Sequence, residues 1–94
     1  MQIEVAGLVI GRQRPGTASG VTFITLEDET GLVNLVVMKT VFAESYGVAR
    51  HARMMLVAGR LERQGTVIHV LAKKLARLRL PGGEEPNVRS RDFH

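Results

Sequence analysis

Val21-Thr22-Phe23-Ile24-Thr25-Leu26-Glu27-Asp28-Glu29-Thr30-Gly31-Leu32-Val33-Asn34-Leu35-Val36-Val37-Met38 is the stretch from which the rest of the chain is read. Two runs rich in β-branched residues, 21–27 and 32–38, flank a four-residue turn signal, and Gly31 supplies the positive φ that hairpin turns require. In a strand, side chains alternate between faces, so Thr22, Ile24 and Leu26 point one way and Val21, Phe23 and Thr25 the other. If Ile24 and Leu26 face a core, Phe23 lies outside; in the opposite register Phe23 is itself core.

Outward from this hairpin, strands and turns continue at short intervals. Residues 3–10 form a first strand, with Gly7 and Gly11 marking a bend or bulge where one strand serves two halves of a curled sheet. Arg12-Gln13-Arg14-Pro15-Gly16-Thr17-Ala18-Ser19-Gly20 is a basic loop with Pro-Gly turn chemistry. After the hairpin, Thr40 can cap a short helix. Phe42, Tyr46 and Ala49 share its inner face, with Phe42 and Tyr46 as core, and Gly47 is its stop. Residues 53–62 and 66–72 are the fourth and fifth strands, and 73–80 extends the last strand or starts a helix. The order strand, strand, strand, helix, strand, strand is that of an all-β, five-stranded Greek-key OB-fold barrel with a short helix between strands 3 and 4. An SH3-like barrel lacks a helix at that point, and an open α+β sheet is the other alternative.

Length and composition bound the function. Ninety-four residues make one domain, read as 1–80, and the Pro, Gly and charge of 81–94 read as a flexible C-terminal tail. No apolar run approaches the roughly 20 residues that span a bilayer, and Met1-Gln2-Ile3-Glu4 does not resemble a signal peptide. The chain has no cysteine, hence no disulfide framework and no thiolate metal site, which is consistent with a cytoplasmic location. The net charge is +4, with 13 Lys and Arg against 9 Asp and Glu. The tail carries a small negative excess, so the body is more basic than the whole and biased toward polyanions.

Catalytic patterns are weak. His51, His69 and His94 are scattered, no Gly-x-Ser-x-Gly elbow occurs, and no Gly-rich loop precedes a Lys-Ser or Lys-Thr pair. Glu27-Asp28-Glu29 has the oxygen donors for a divalent metal, yet reads more naturally as a solvated turn in which Asp28 bonds the local backbone. No metal and no cofactor is expected. Nucleic-acid binding fits better, because an OB barrel uses the face of strands two and three, flanked by the loops joining strands one to two and four to five. Arg12 and Arg14 occupy the first loop and Arg63 the second, with Arg60 and Lys73 extending the basic patch. Val36, Met38 and Asn34 share the face on which an outward Phe23 would stack a base, and His69 lies in the fifth strand.

Several segments together resemble the nucleic-acid-binding OB domain of bacterial C-family replicative polymerases. They are the hairpin 21–31, then Val33, Leu35 and Val37, and the run Leu56-Val57-Ala58-Gly59-Arg60-Leu61. That domain is similar to the anticodon-binding OB domain of class II aminoacyl-tRNA synthetases. There, a Phe at the position of Phe23 stacks on an anticodon base, which favours the outward register. The loop 12–20, Val67-Ile68-His69-Val70 and the ending Ser90-Arg91-Asp92-Phe93-His94 more specifically resemble the error-prone paralogue of the polymerase III α subunit, at its C-terminal end. Relatives often carry an aromatic residue followed by Pro where this chain has Met38-Lys39-Thr40.

The resemblance implies a single-stranded DNA-binding domain of an error-prone polymerase used in damage-tolerant synthesis. Polymerisation itself is not expected, because the palm carboxylates have no counterpart in this chain, whether it is an excised domain or a short reading frame. Arg12, Arg14, Phe23, Asn34, Arg60, Arg63, His69 and Lys73 are the candidate contacts. A protein-interaction module docking accessory mutagenesis proteins, clamp-associated proteins or the rest of the polymerase is the alternative; a remnant without a task is a third. An exposed strand edge would also allow a homodimer.

Overall fold

The computed structural model describes residues 1–14 and 20–78. The centre of the first loop and the tail expected over 81–94 lie outside the described residues. Five strands, β1 (Gln2–Gln13), β2 (Thr22–Asp28), β3 (Gly31–Val37), β4 (Met54–Gln64) and β5 (Val67–Arg77), close into a barrel in the order β1-β2-β3-β5-β4. Two short helices, α1 (Lys39–Glu44) and α2 (Tyr46–His51), lie between β3 and β4. This is the expected OB barrel. The ambiguous segment after residue 72 continues as strand to Arg77.

The barrel closes because β1 works twice. Gln2 to Leu8 pair with β4, Leu8 to Gln13 pair with β2, and the register shifts between Val9 and Gly11. That bulge bends the strand from one half of the sheet to the other, as the glycines predicted. On the far side β3 and β5 meet in a short parallel contact, Leu35 with Val70 and Val36 with Leu71. Every strand therefore has two neighbours.

Inside sit Ile24, Leu26, Leu35, Val37, Met55, Val57 and Val70, each essentially without exposed surface. Each such side chain contributes roughly 1.5–3 kcal/mol by leaving water. The β2–β3 hairpin is in the register that buries Ile24 and Leu26, and Phe23 is 43% exposed. Its turn is held by Asp28, whose Oδ1 accepts from the Thr30 amide at 2.8 Å and the Thr30 hydroxyl at 2.7 Å. Gly31 follows at φ 134°, which only glycine adopts without strain. Gly59 is needed for another reason: a Cβ there would run into the Leu71 carbonyl oxygen, backbone that cannot swing aside.

The helical segment departs from expectation in three ways. Met38, not Thr40, is the residue before the first turn, and no side chain caps it. The helix breaks at Ser45, whose amide donates to Val41 O while its carbonyl accepts from Ala49 N, so Gly47 lies inside α2 rather than ending a helix. The break also turns Tyr46 away from the core. Phe42 and Ala49 are buried, but Tyr46 is 51% exposed and meets Phe42 edge-on at 5.7 Å.

Arg12 ties this plug to the barrel. Its Nε donates to Ala49 O at 2.7 Å and its Nη2 to Ala52 O at 2.5 Å, closing the C-terminal end of α2 with a cation. Burial, with Arg77 nearby, lowers the pKa of this guanidinium, which nevertheless stays charged.

Two predictions follow from these contacts. Arg12→Ala leaves carbonyls of two fully buried residues without their donors and should lower unfolding stability by about 2–4 kcal/mol in urea denaturation. The Thr30 hydrogen bonds hold the Asp28 carboxyl below its ordinary range in the folded state. Ionised Asp28 therefore stabilises the fold above the unfolded carboxylate pKa of about 4, and that contribution disappears as pH falls through the lowered folded value. Asp28→Asn should accordingly flatten the fall in melting temperature between roughly pH 5 and pH 2.

Candidate nucleic-acid interface

The ladder that buries Ile24 and Leu35 leaves their neighbours facing out. Phe23 pairs with Val36, Val36 with Leu71 and Leu71 with Arg60, forming one outward row across β2, β3, β5 and β4. With strands about 4.8 Å apart, the row runs roughly 14 Å from the Phe23 ring position to Arg60. Thr25 and Asn34 form the next cross-strand pair, and the Thr25 hydroxyl donates to Asn34 Oδ1 at 3.4 Å. His69 comes one step before the Leu35–Val70 contact on β5, on the same outward side as Asn34. Its Nε2 lies 3.4 Å from Glu62 Oε1, so a carboxylate already faces this imidazole.

Phe23, Asn34, Arg60 and His69 are thus brought together on the outer face, with an apolar centre and the Arg60 guanidinium at one side. The remaining predicted residues lie elsewhere. Arg63 pairs with Ile68 near the β4–β5 tip, on the opposite side of the ribbon from Arg60 and Glu62. Lys73 is exposed at the β5 bulge, where the ladder passes from Ala72 to Lys74. Arg12 is the cross-strand partner of Ile24 near the end of β1 and serves α2 as described. Arg14 leaves the strand end and places its guanidinium carbon 5.1 Å from the centroid of the Phe42 ring.

Sequence reasoning did not single out Leu71, which joins the Phe23 side of the row to Arg60. No signal marked it: Val70, Leu71 and Ala72 are all apolar, and only the structure, which buries Val70 and Ala72, turns Leu71 outward. Nor did it single out Arg50 and His51 beside Arg12 and Arg14. Only the fold brings the end of α2 against the end of β1, so no local pattern carried that neighbourhood.

Residues 3–78 match the tRNA anti-codon family, described as an OB-fold nucleic acid binding domain. Among whole proteins, the chain is 50% identical over 92 residues to the error-prone DNA polymerase of Anaeromyxobacter dehalogenans (strain 2CP-C), covering 98% of this chain and 8% of that protein. It is 51% identical to the error-prone DNA polymerase of Pseudomonas fluorescens (strain Pf0-1), covering 98% of this chain and 9% of the relative. The chain therefore spans less than a tenth of the length of these relatives. Among solved structures, asparaginyl-tRNA synthetase from Pyrococcus horikoshii superposes with a TM-score of 0.64 at 25% identity, over 81% of this chain and 19% of the synthetase. A small domain of this kind fits a non-catalytic role for the chain. By its matched residues and its closed five-stranded barrel, the chain belongs to the tRNA anti-codon family of OB-fold nucleic acid binding domains.

Proposed function

We propose that the chain binds single-stranded DNA across its outer face, as the nucleic-acid-binding segment of an error-prone DNA polymerase in damage-tolerant synthesis in the cytoplasm. The row Phe23–Val36–Leu71–Arg60 carries this reading. A strand laid across it stacks a base on the exposed Phe23 ring, rests on apolar Val36 and Leu71, and meets a guanidinium at Arg60. Stacking is tolerant of sequence because every base has a π face, and phosphate contacts carry no sequence information. Arg14, Arg63 and Lys73, all exposed, add cations beyond the row. With Phe23 the single exposed Phe on the face among the described residues, the binding is weak and governed by salt.

Exposed apolar side chains support the second reading, a docking surface for accessory mutagenesis or clamp-associated proteins. Leu32 is 63% and Met38 44% exposed, beside the same strands. The two readings separate by ionic strength, since apolar docking responds little to salt.

Fluorescence anisotropy of labelled oligo-dT over a salt series tests the DNA reading. With about four phosphates engaged, log affinity should fall with log salt at a slope near −3. Phe23→Ala should cost about 1–3 kcal/mol without changing that slope, because the ring stacks and carries no charge. Arg60→Gln should instead make the slope shallower by about 0.7. Absence of binding by the folded protein at low salt would remove the reading in favour of docking.

A further inference from the structure

A second basic feature lies at the helix-capped end of the barrel, distinct from the outer row. Arg12, Gln13, Arg14, Thr22, Phe42, Arg50 and His51 line a cleft of about 390 Å³. Three arginines and a histidine converge there, and no carboxylate is among the described residues that line it. From this convergence we infer that the cleft is a phosphate-binding site, taking the phosphate group of a nucleic-acid strand or of a free nucleotide.

Each cation is positioned by something other than a counter-charge. Arg12 is fixed in the wall by its bonds to Ala49 O and Ala52 O, and its guanidinium has further N–H groups beyond those two. Arg14 sits over the Phe42 ring at 5.1 Å and Arg50 over the Tyr46 ring at 5.7 Å. A guanidinium resting on an aromatic ring keeps its N–H edge for an acceptor, and that planar fork matches phosphate oxygens. Like charges gathered in one cleft repel, and an anion between them relieves the repulsion. A second, independent observation points the same way. Thr22 is 3% exposed, lines this cleft, and its hydroxyl oxygen is buried without a hydrogen-bond partner among the described residues. A buried hydroxyl without a partner is costly, and an oxyanion is an acceptor it could satisfy on small rearrangement.

The cleft also adjoins the outer face. Gln13, on its rim, is the cross-strand partner of Phe23. A strand leaving the Phe23 ring toward β1 would therefore arrive with a phosphate at this end of the barrel.

The test uses the full chain, 15N-labelled, with inorganic phosphate titrated against chloride at constant ionic strength while arginine Nε–H and backbone amide resonances are followed. Saturable shifts confined to Gln13, Arg14, Thr22, Arg50 and His51 are expected. Arg14→Gln/Arg50→Gln should weaken the phosphate response about tenfold, as loss of charge-assisted hydrogen bonds does, while the remaining spectrum keeps its dispersion. Arg12 is left intact because it holds α2. Parallel titrations with thymidine 5′-monophosphate and with oligo-dT lacking a terminal phosphate identify the source. A response to the oligomer assigns an internal phosphodiester, and a response to the mononucleotide alone assigns a terminal phosphate. Shifts of equal size at Arg60, Arg63, Lys73 and Lys74, a non-saturating response, or shifts that persist in the double variant would each overturn the site. Phe23→Ala keeps this experiment separate from the outer-face reading: it removes stacking and leaves the inorganic phosphate response in place.

Discussion

The register of the β2–β3 hairpin is the constraint on which the rest of the molecule depends. Seven consecutive pairs, from Thr22 with Val37 to Asp28 with Gly31, put Ile24, Leu26, Leu35 and Val37 on one side. A slip of one residue between the strands would put Ile24 and Leu26 on the opposite face from Leu35 and Val37, so that one of the two pairs would face solvent. The turn opposes that slip from one end, because Asp28 grips Thr30 and only Gly31 fits the positive φ that follows. The core opposes it everywhere else. The outer face is thus a by-product of packing: what is exposed on β2 and β3 is whatever the core did not take.

Barrel closure adds a second level of positioning. Once β1 has bent at its bulge, its last residues lie against the helical plug, and Arg12 reaches the carbonyls at the end of α2. One arginine thereby fixes α2, and Phe42 on the preceding α1 in turn supports the guanidinium of Arg14. Cations of the first loop are consequently sorted by their partners: Arg12 is tied to the α2 carbonyls, while Arg14, past the end of the strand, rests over the Phe42 ring.

Much of this was legible in the sequence wherever the determinants were local. Alternation and the Asp-Glu-Thr-Gly turn gave the hairpin, and the strand order with an intervening helical segment gave the OB barrel. Even the bulge in β1 was announced by Gly7 and Gly11. The misreadings have a common cause. Tyr46 was placed in the core because it is four residues from Phe42, the spacing of one helical face. That spacing holds only for an unbroken helix, and the break at Ser45 rotates Tyr46 outward. The tie of Arg12 to α2 was not legible either, because sequence shows charge without direction. Its carbonyl partners lie 37 and 40 residues away.

On the proposed reading, the sparse aromatic content of the outer face is compatible with use in a polymerase. A free single-strand binder needs enough stacking and enough phosphate contacts to hold DNA at its own concentration. A domain tethered to a larger enzyme meets its strand at an effective concentration set by the linker, which reaches roughly millimolar for short connections. Affinity that is weak in isolation is then sufficient, and rapid release becomes an advantage where template must move past the site. One exposed Phe and a few arginines suit that regime, because contacts of this kind do not discriminate among bases. Additional aromatic side chains would slow the strand more than they would help find it, since differences in affinity among related surfaces lie mainly in the rate of dissociation.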